Sequence, residues 1–181
     1  MEQLPTLETP RLVLRQLELR DVPALFGVFS DRRVTRYTSH PPFAALQDAD
    51  ELLTRIDCGR LGDVFYEWGI ADGKTDVVFG TVTLFHWERA HHRADLGYAV
   101  AADLWNRGFG TEAVGRAIEY AFQELDLHRL EADVDPRNAG SLRLLEKLGF
   151  VREGFRPHTY LVDGEWQDSV LLGLLRPDIR P

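Results

Sequence analysis

The chain has 181 residues, 44% of them hydrophobic, which is enough apolar material for a buried core and argues against extensive disorder. Its 29 acidic and 21 basic residues give a net charge of −8, which argues against general nucleic-acid binding, since that depends on basic patches. An acidic surface suits a cationic partner such as an amine. This length predicts a single domain over residues 1–181.

Cysteine content and the lack of long apolar runs predict the compartment. Cys58 is the only cysteine, so no internal disulfide can form, and no Cys/His cluster has zinc-like spacing. The segment Met1–Pro5 lacks the basic and apolar regions of a secretory signal, and Val170–Leu175 is too short to cross a bilayer. We therefore expect a cytoplasmic protein with no metal, membrane or nucleic-acid partner.

Hydrophobic spacing predicts the elements of the first half of the chain. In order, they are a strand at residues 12–14, helices at 22–29 and 48–56, and strands at 66–70, 77–87 and 94–100. Asp21 is placed to cap the first helix, and Pro41–Pro42 separates the two helices. Asp72–Gly73 indicates a turn after the first of the three later strands.

The second half alternates between helices and strands. In order, it contains a helix at residues 113–125, a strand at 130–134, a helix between Asn138 and Gly149, and strands at 150–162 and 166–175. Asp163–Gly164 favours a hairpin between the last two strands. The predicted fold class is α/β (α+β), with a mixed, mostly antiparallel sheet flanked by helices and later strand–helix–strand crossovers.

A glycine-containing loop precedes the long helix. Gly108 and Gly110 allow the backbone N–H groups to face one concavity, and the helix N-terminus adds roughly half a positive charge. The loop therefore suits a pyrophosphate, although the spacing is equally consistent with a tight turn. A dinucleotide fingerprint would need glycine at Ala113, and a Walker loop would need Gly-Lys-Ser/Thr, so neither is predicted.

Four segments resemble, in order and spacing, the GNAT superfamily of acetyltransferases, and within it the RimJ/RimL-type branch that acetylates the N-terminal amine of ribosomal proteins. They are residues 9–15 with Asp21, Asp95–Tyr98, Trp105–Gly110 and Asn138–Phe150. Trp105 stands where many members have Gln or Arg, a variant that resembles this branch. The resemblance extends over nearly the whole chain, from Thr9 to Leu175.

The resemblance implies a splayed sheet, in which two neighbouring strands part to admit acetyl-CoA as cosubstrate. The phosphate-binding amides would be those of Arg107, Gly108, Phe109, Gly110 and Thr111, and the backbone near Tyr98, Ala99 and Val100 would pair with pantetheine. Asn138 would hydrogen-bond the pantetheine arm, cap its helix, or do both. Arg107 and Arg143 would provide a positive field for the cofactor, or would be ordinary solvated arginines.

The resemblance also implies the groups that move protons. Asp95 stands where many members have a catalytic Glu, and this shorter carboxylate would act through water as the base. The alternative is a solvent-facing residue that alternates with Leu96. His86 and His91 lie near the same strand ends and are further candidates for the base.

Ser141 is the candidate acid that would protonate the leaving thiolate, because the tyrosine that many relatives have late in this helix is replaced by Leu145. Its alternative role is to support the Asn138 cap. Cys58 has no histidine partner apparent in the sequence, so covalent catalysis is not predicted.

The implied function is direct acetyl transfer from acetyl-CoA to a primary amine, in particular an N-terminal α-amine. At pH 7 roughly a tenth of α-amines are neutral, against about one lysine side chain in 2,500, so an N-terminal acceptor needs a weaker base. The alternatives are a small-molecule amine acetyltransferase and a non-catalytic acyl-CoA-binding module. The expected partner is the amine acceptor, and the expected state is a monomer or homodimer.

Overall fold

The computed structural model describes residues 4–61, 65–162 and 164–177, with the backbone alone for 59–61. The strands are β1 (Leu7–Glu8), β2 (Leu12–Arg15), β3 (Tyr66–Asp72), β4 (Val78–Glu88), β5 (Arg93–Val100), β6 (Arg129–Val134), β7 (Val151–Val162) and β8 (Glu165–Leu175). The helices are α1 (Val22–Phe29), α2 (Arg32–Thr35), α3 (Leu46–Leu61), α4 (Phe109–Gln123) and α5 (Ala139–Lys147).

The strands form one sheet in the order β1-β2-β3-β4-β5-β6-β8-β7. Every neighbouring pair is antiparallel except β5 and β6, which run parallel. The connection between these two strands contains α4, as a parallel crossover requires. The predicted mixed, mostly antiparallel sheet flanked by helices is confirmed.

Hydrophobic residues cover both faces of the sheet. On one face, the buried side chains of α4 and α5 pack with Trp68, Ile70 and Val82. On the other face, α1 and α3 pack over Ala71 and Val78. Because neighbouring strand residues point to opposite faces, Ile70 and Ala71 belong to different clusters. No helix within the described ranges is both long and apolar enough to cross a membrane.

Two short elements escaped the sequence prediction. The two-residue β1 and the four-residue α2 are too short for hydrophobic periodicity to reveal them. The predicted hairpin between β7 and β8 is present, with Gly164 at a φ of 81°, while Asp163 lies outside the described residues. Met1, Glu2 and Gln3, which entered the secretory-signal prediction, also lie outside them.

The predicted capping role of Asp21 is wrong. Asp21 occupies the N-cap position of α1, but its side chain makes no cap hydrogen bond. Its carboxylate instead accepts from both terminal nitrogens of Arg15, at 2.8 and 2.9 Å, and from the Glu18 amide at 2.9 Å. Arg15 and Asp21 are both buried, so the guanidinium requires a negatively charged partner. The Asp21 carboxylate fills this role and does not cap α1.

Candidate active site

The sheet opens between its two parallel strands. β5 and β6 pair only through Arg93–Asp95 and Arg129–Glu131. Beyond Asp95, Leu96–Val100 stays paired with β4 but has no register partner on β6. The opening therefore begins at Asp95 and leaves one backbone edge of β5 exposed to a ligand.

A large cavity fills this opening. Its volume is about 1640 Å³, and its lining includes both parting strands, the loop before α4 and the start of α5. The lining residues predicted to bind cofactor or carry the chemistry are Asp95, Tyr98, Ala99, Val100, Gly108, Phe109, Gly110, Thr111, Asn138, Ser141 and Arg143. Arg107, which was predicted to bind the cofactor, is missing from the lining.

The N-terminus of α4 faces this cavity without a side-chain cap. Gly108 is the N-cap residue, with a φ of 82° that favours glycine, and no side chain caps the first turn. The amides of Phe109, Gly110 and Thr111 therefore lack partners within the helix. A Cβ at Gly110 would lie 3.0 Å from Leu144 of α5, so glycine allows the two helices to approach closely. Uncapped amides and the helix dipole suit an anionic group.

The loop is held in place from two sides. The Trp105 indole donates to the carbonyl of Val100 at 2.7 Å, which ties the loop to the end of β5. Arg11 donates to the carbonyl of Arg107 at 3.0 Å, pairs with Glu112, and stacks over the Phe109 ring at 4.4 Å. The Trp105 indole therefore occupies one lone pair of the Val100 carbonyl oxygen, in the part of the backbone that was predicted to pair with pantetheine.

The first turn of α5 brings Asn138, Ser141 and Tyr98 together. The Asn138 side chain accepts from the Ser141 amide at 3.1 Å, so it caps the helix as well as lining the cavity. The Ser141 hydroxyl lies 2.7 Å from the Tyr98 hydroxyl. Burial raises the pKa of Tyr98 to about 12, against the smaller opposing effect of its bond to Ser141. Leu145, one turn later, is fully buried in the core.

Asp95 lies at the point where the strands part, and its side chain is 34% exposed. Its carboxylate is 2.9 Å from Nδ1 of His86, whose ring is largely exposed. His91 is directed elsewhere, at 4.0 Å from Glu88, and is not part of the cavity lining. Of the two candidate histidines, the structure therefore places only His86 beside Asp95.

The comparisons with known proteins settle the family. Residues 11–151 match the family described as the acetyltransferase (GNAT) domain. The chain belongs to the GNAT family. The uncharacterized N-acetyltransferase p20 of Bacillus licheniformis is 34% identical over 96% of this chain and 97% of its own. The ribosomal protein uS5-alanine N-acetyltransferase of Escherichia coli (strain K12) is 30% identical, over 97% and 93% of the two chains.

A solved acetyltransferase structure has the same fold. The spermidine N-acetyltransferase of Vibrio cholerae, in complex with CoA and spermine, matches with a TM-score of 0.81 at 24% identity, over 92% of this chain and 96% of its own. The family match and the N-acetyltransferase relatives make the chain an acetyl-CoA-dependent N-acetyltransferase rather than a non-catalytic module, and the uS5 relative supports its RimJ-like character.

The geometry fits the acetyl donor of the GNAT family. The uncapped amides of α4 suit the diphosphate, and the free edge of β5 suits the amide-bearing pantetheine arm. Arg143 and Lys147 of α5 line the same cavity, and within the described ranges no carboxylate lies within ion-pair distance of Arg143. Acetyl-CoA supplies the acetyl group when it is bound.

Two features of this GNAT site escaped the sequence analysis. The Tyr98 hydroxyl contact with Ser141 was missed, although Tyr98 is in phase with Leu96 and Val100 on the face towards α5. Glu67 of β3 was also missed. It is 6% exposed, yet lines the cavity beside Thr81 and Thr83. A charged residue between Tyr66 and Trp68 in a strand gives no sign of burial, because alternation predicts an exposed face there.

Proposed function

We propose that this GNAT enzyme transfers the acetyl group of acetyl-CoA to the N-terminal α-amine of a protein, and that residues 1–181 form one catalytic domain. The observation that carries the proposal is Asp95 at the start of an opening whose other end has the uncapped N-terminus of α4. This arrangement provides an anion-binding end and a carboxylate end in one cavity. Similarity to the uS5-alanine enzyme supports a protein N-terminus as acceptor.

Asp95 is the proposed base for the arriving ammonium. An α-amine with a pKa of about 7.7 to 8 loses its proton readily near neutral pH, so a water-relayed carboxylate is sufficient. The hydrogen bond to His86 orients the carboxylate and connects it to solvent, because the His86 side chain is 76% exposed. The proton therefore has a route from the cavity to bulk water.

Ser141 is the proposed donor to the leaving thiolate. A thiolate with a pKa near 8.5 requires only a weak acid. The Ser141 hydroxyl can donate towards the sulfur while accepting from Tyr98, which replaces the proton. The raised pKa of Tyr98 keeps its phenol protonated throughout the physiological range, so the pair is always ready to donate.

A polyamine is the second candidate acceptor. Glu67, Asp95 and Asp133 all line the cavity, and several carboxylates suit a substrate with several cations. The fold is shared with a spermidine N-acetyltransferase. An α-amine is preferred here because a lysine-like or polyamine nitrogen, with a pKa about 2 to 3 higher, demands a stronger base than Asp95 with an exposed histidine.

Acceptor panels test the proposal. Thiol release from acetyl-CoA is measured with N-terminal peptides, with N-terminally blocked lysine peptides, and with spermidine. We expect kcat/KM to be highest for the free N-terminal peptides and to fall in Asp95→Asn. Glu88→Gln, which changes another carboxylate near the same strand ends but outside the cavity lining, is the matched control. Higher kcat/KM for spermidine would replace this proposal with the polyamine candidate.

A further inference from the structure

Glu67 is a buried carboxylate that the mechanism above leaves unused. It is 6% exposed and lines the cavity wall beside Thr81 and Thr83. Burial, the largest effect, raises the pKa of Glu67 to about 7, while Thr81, Arg55 and Thr83 oppose this rise only in part. A carboxylate with this pKa can accept and release a proton near neutral pH.

The strand register connects Glu67 to the opening. Glu67 of β3 is opposite Thr83 of β4, and Thr83 is opposite Gly97 of β5. Residues opposite each other share a face of the sheet, so these three form a row across it. Gly97 belongs to the part of β5 that has separated from β6, and it has no side chain to cover the Thr83 hydroxyl. The row therefore leads from the buried carboxylate to the edge where the thioester would lie.

Of the two threonines beside Glu67 in the cavity wall, Thr83 is the one placed for a relay. Thr81 is 3% exposed and lies opposite Gly69 and Ala99, deeper under α1 and α3. Thr83 is partly exposed, and along β5 its partner Gly97 is two residues from Asp95, on the same face. Two strand spacings of about 4.8 Å separate Glu67 from β5, which is too far for direct contact with the acceptor and short enough for a hydroxyl and a water.

A purely structural role does not explain a carboxylate here. β3 and β4 are already paired through six register positions, and a glutamine side chain has nearly the same shape and can also accept a hydrogen bond from a hydroxyl. Burying an ionisable group without a partner at ion-pair distance opposes folding. Such groups concentrate at sites where proton transfer is needed.

We propose that Glu67, relayed by the hydroxyl of Thr83, takes the proton that the acceptor nitrogen loses as it attacks the thioester. The proposal rests on acetyl transfer to an amine, and not on which amine is the natural acceptor. It gives the enzyme two proton acceptors on one face: Asp95 at the outer end, in contact with solvent, and Glu67 at the inner end.

The protons balance as follows for an ammonium acceptor. Its first proton passes through water to Asp95 before attack. Its second leaves the nitrogen as the C–N bond forms and the C–S bond breaks, moving to Thr83 Oγ1 while the Thr83 proton moves to Glu67. The thiolate takes one proton from the Ser141–Tyr98 pair. Return of these groups to their starting states releases one net proton to solvent, as amide formation from an ammonium requires.

The test compares Glu67→Gln with the wild-type enzyme, using whichever amine of the panel reacts fastest. General base catalysis contributes roughly 10²–10⁴-fold, so we expect kcat to fall about 100-fold at pH 7.5. The wild-type kcat should decrease as the pH falls below about 7, where Glu67 becomes protonated, and this decrease should be absent from the variant. Acetyl-CoA affinity, measured by calorimetry, should stay within about twofold.

The contribution of Glu67 to this pH dependence must be separated from that of the other charged groups nearby. They are Arg55 of α3, Arg15 of β2 opposite Gly69, His86 of β4 and Asp95 of β5. Arg15 is engaged by Asp21 and Asp76. The pH dependence of kcat is also measured in Asp95→Asn, where the decrease below about pH 7 should persist because Glu67 is unchanged.

Three threonine variants separate a relay from a structural contact. Thr83→Val removes the hydroxyl and should lower kcat at every pH, while Thr83→Ser should restore it. Thr81→Val is the matched control. The Thr81 hydroxyl lowers the pKa of Glu67, so its removal should raise that pKa and shift the pH-dependent decrease in kcat to higher pH. The kcat reached at high pH should stay at the wild-type value.

Two results would overturn the proposal. One is a Glu67→Gln enzyme with wild-type kcat and an unchanged pH profile. The other is a loss of activity matched by loss of acetyl-CoA affinity or of cooperative unfolding, which would make Glu67 structural. Failure of the N-terminal peptides in the acceptor panel would refute the acceptor assignment alone, because the Glu67 comparison uses the best available amine.

Discussion

Replacing Glu67 with glutamine should stabilise the protein above neutral pH. The folded-state pKa of about 7 compares with an ordinary value of 4.5. Each tenfold difference in proton affinity is worth about 1.4 kcal/mol, so the ionised carboxylate lowers the free energy of unfolding by about 3 kcal/mol. Glutamine has nearly the same shape and no charge, so Glu67→Gln removes this penalty.

The sign of the pH dependence follows from which state binds the proton. Below pH 4.5 the carboxyl is protonated in both states and has no effect on stability. Between pH 4.5 and about 7 the unfolded chain is ionised while the folded chain keeps its proton, so the stability contributed by this group falls as pH rises. Above about pH 7 the penalty is constant. The advantage of Glu67→Gln should therefore grow from below about 1 kcal/mol at pH 5 to its maximum of about 3 kcal/mol at pH 8.

Urea unfolding of both proteins at pH 5, 6, 7 and 8 measures this difference directly. Glu112→Gln is a control of opposite sign. Burial raises the pKa of Glu112, but hydrogen bonds from Thr9 and Arg11 outweigh it and lower the pKa, so its replacement should destabilise at pH 7 and matter less in acid. A Glu67→Gln protein no more stable than wild type at pH 8, or equally more stable at pH 5, would refute the reasoning.

Three further substitutions test other parts of the structure. Ser141→Ala should lower kcat at least tenfold while leaving the calorimetric Kd for acetyl-CoA unchanged, and an unaffected kcat would remove its role as acid. Gly108→Ala adds a Cβ at a φ of 82° and 3.3 Å from Arg11, so it should destabilise the loop by roughly 1 kcal/mol and weaken acetyl-CoA binding several-fold. Asp21→Asn leaves Arg15 buried with a weaker partner, and thermal or urea unfolding should show a loss of about 3 kcal/mol; a loss below about 1 kcal/mol would contradict the buried-pair interpretation.

Local patterns predicted the cofactor side of the site well. Gly108 and Gly110 can be recognised from the few residues around them, because a left-handed turn and a close helix approach both require glycine. Asn138 acts within one helical turn, through its bond to the Ser141 amide. Such features need only short-range geometry, so they can be recognised before any strand is placed. The bond of Trp105 to Val100 is similarly local, yet no general rule predicts it.

The acceptor side depends on contacts between residues distant in sequence. Asp95 was identified as a candidate base from the family resemblance, and it lies where β5 separates from β6. Its contact with His86 could not be predicted, because it depends on a register shift in β4 after Phe85. Glu67 could be recognised only after the order of β3, β4 and β5 and their register were known. A glutamate in an amphipathic strand predicts solvent, and burial beneath α1 and α3 reverses that expectation.

The carboxylates of Asp95 and Glu67 differ in their surroundings, and the difference suits them to different proton transfers. Asp95 is partly exposed and contacts a solvent-facing histidine, so it can return a proton to bulk water within each cycle. Glu67 is enclosed, and its pKa of about 7 lies close to that of an α-amine and more than 3 below that of lysine. In the proposed order the ammonium proton goes to Asp95, so the ammonium pKa sets the cost of forming the neutral amine, which at pH 7 is about 1 kcal/mol for an α-amine and more than 4 kcal/mol for a lysine. Glu67 is ionised mainly above about pH 7, so both carboxylates work best on acceptors whose amines are already partly neutral near that pH.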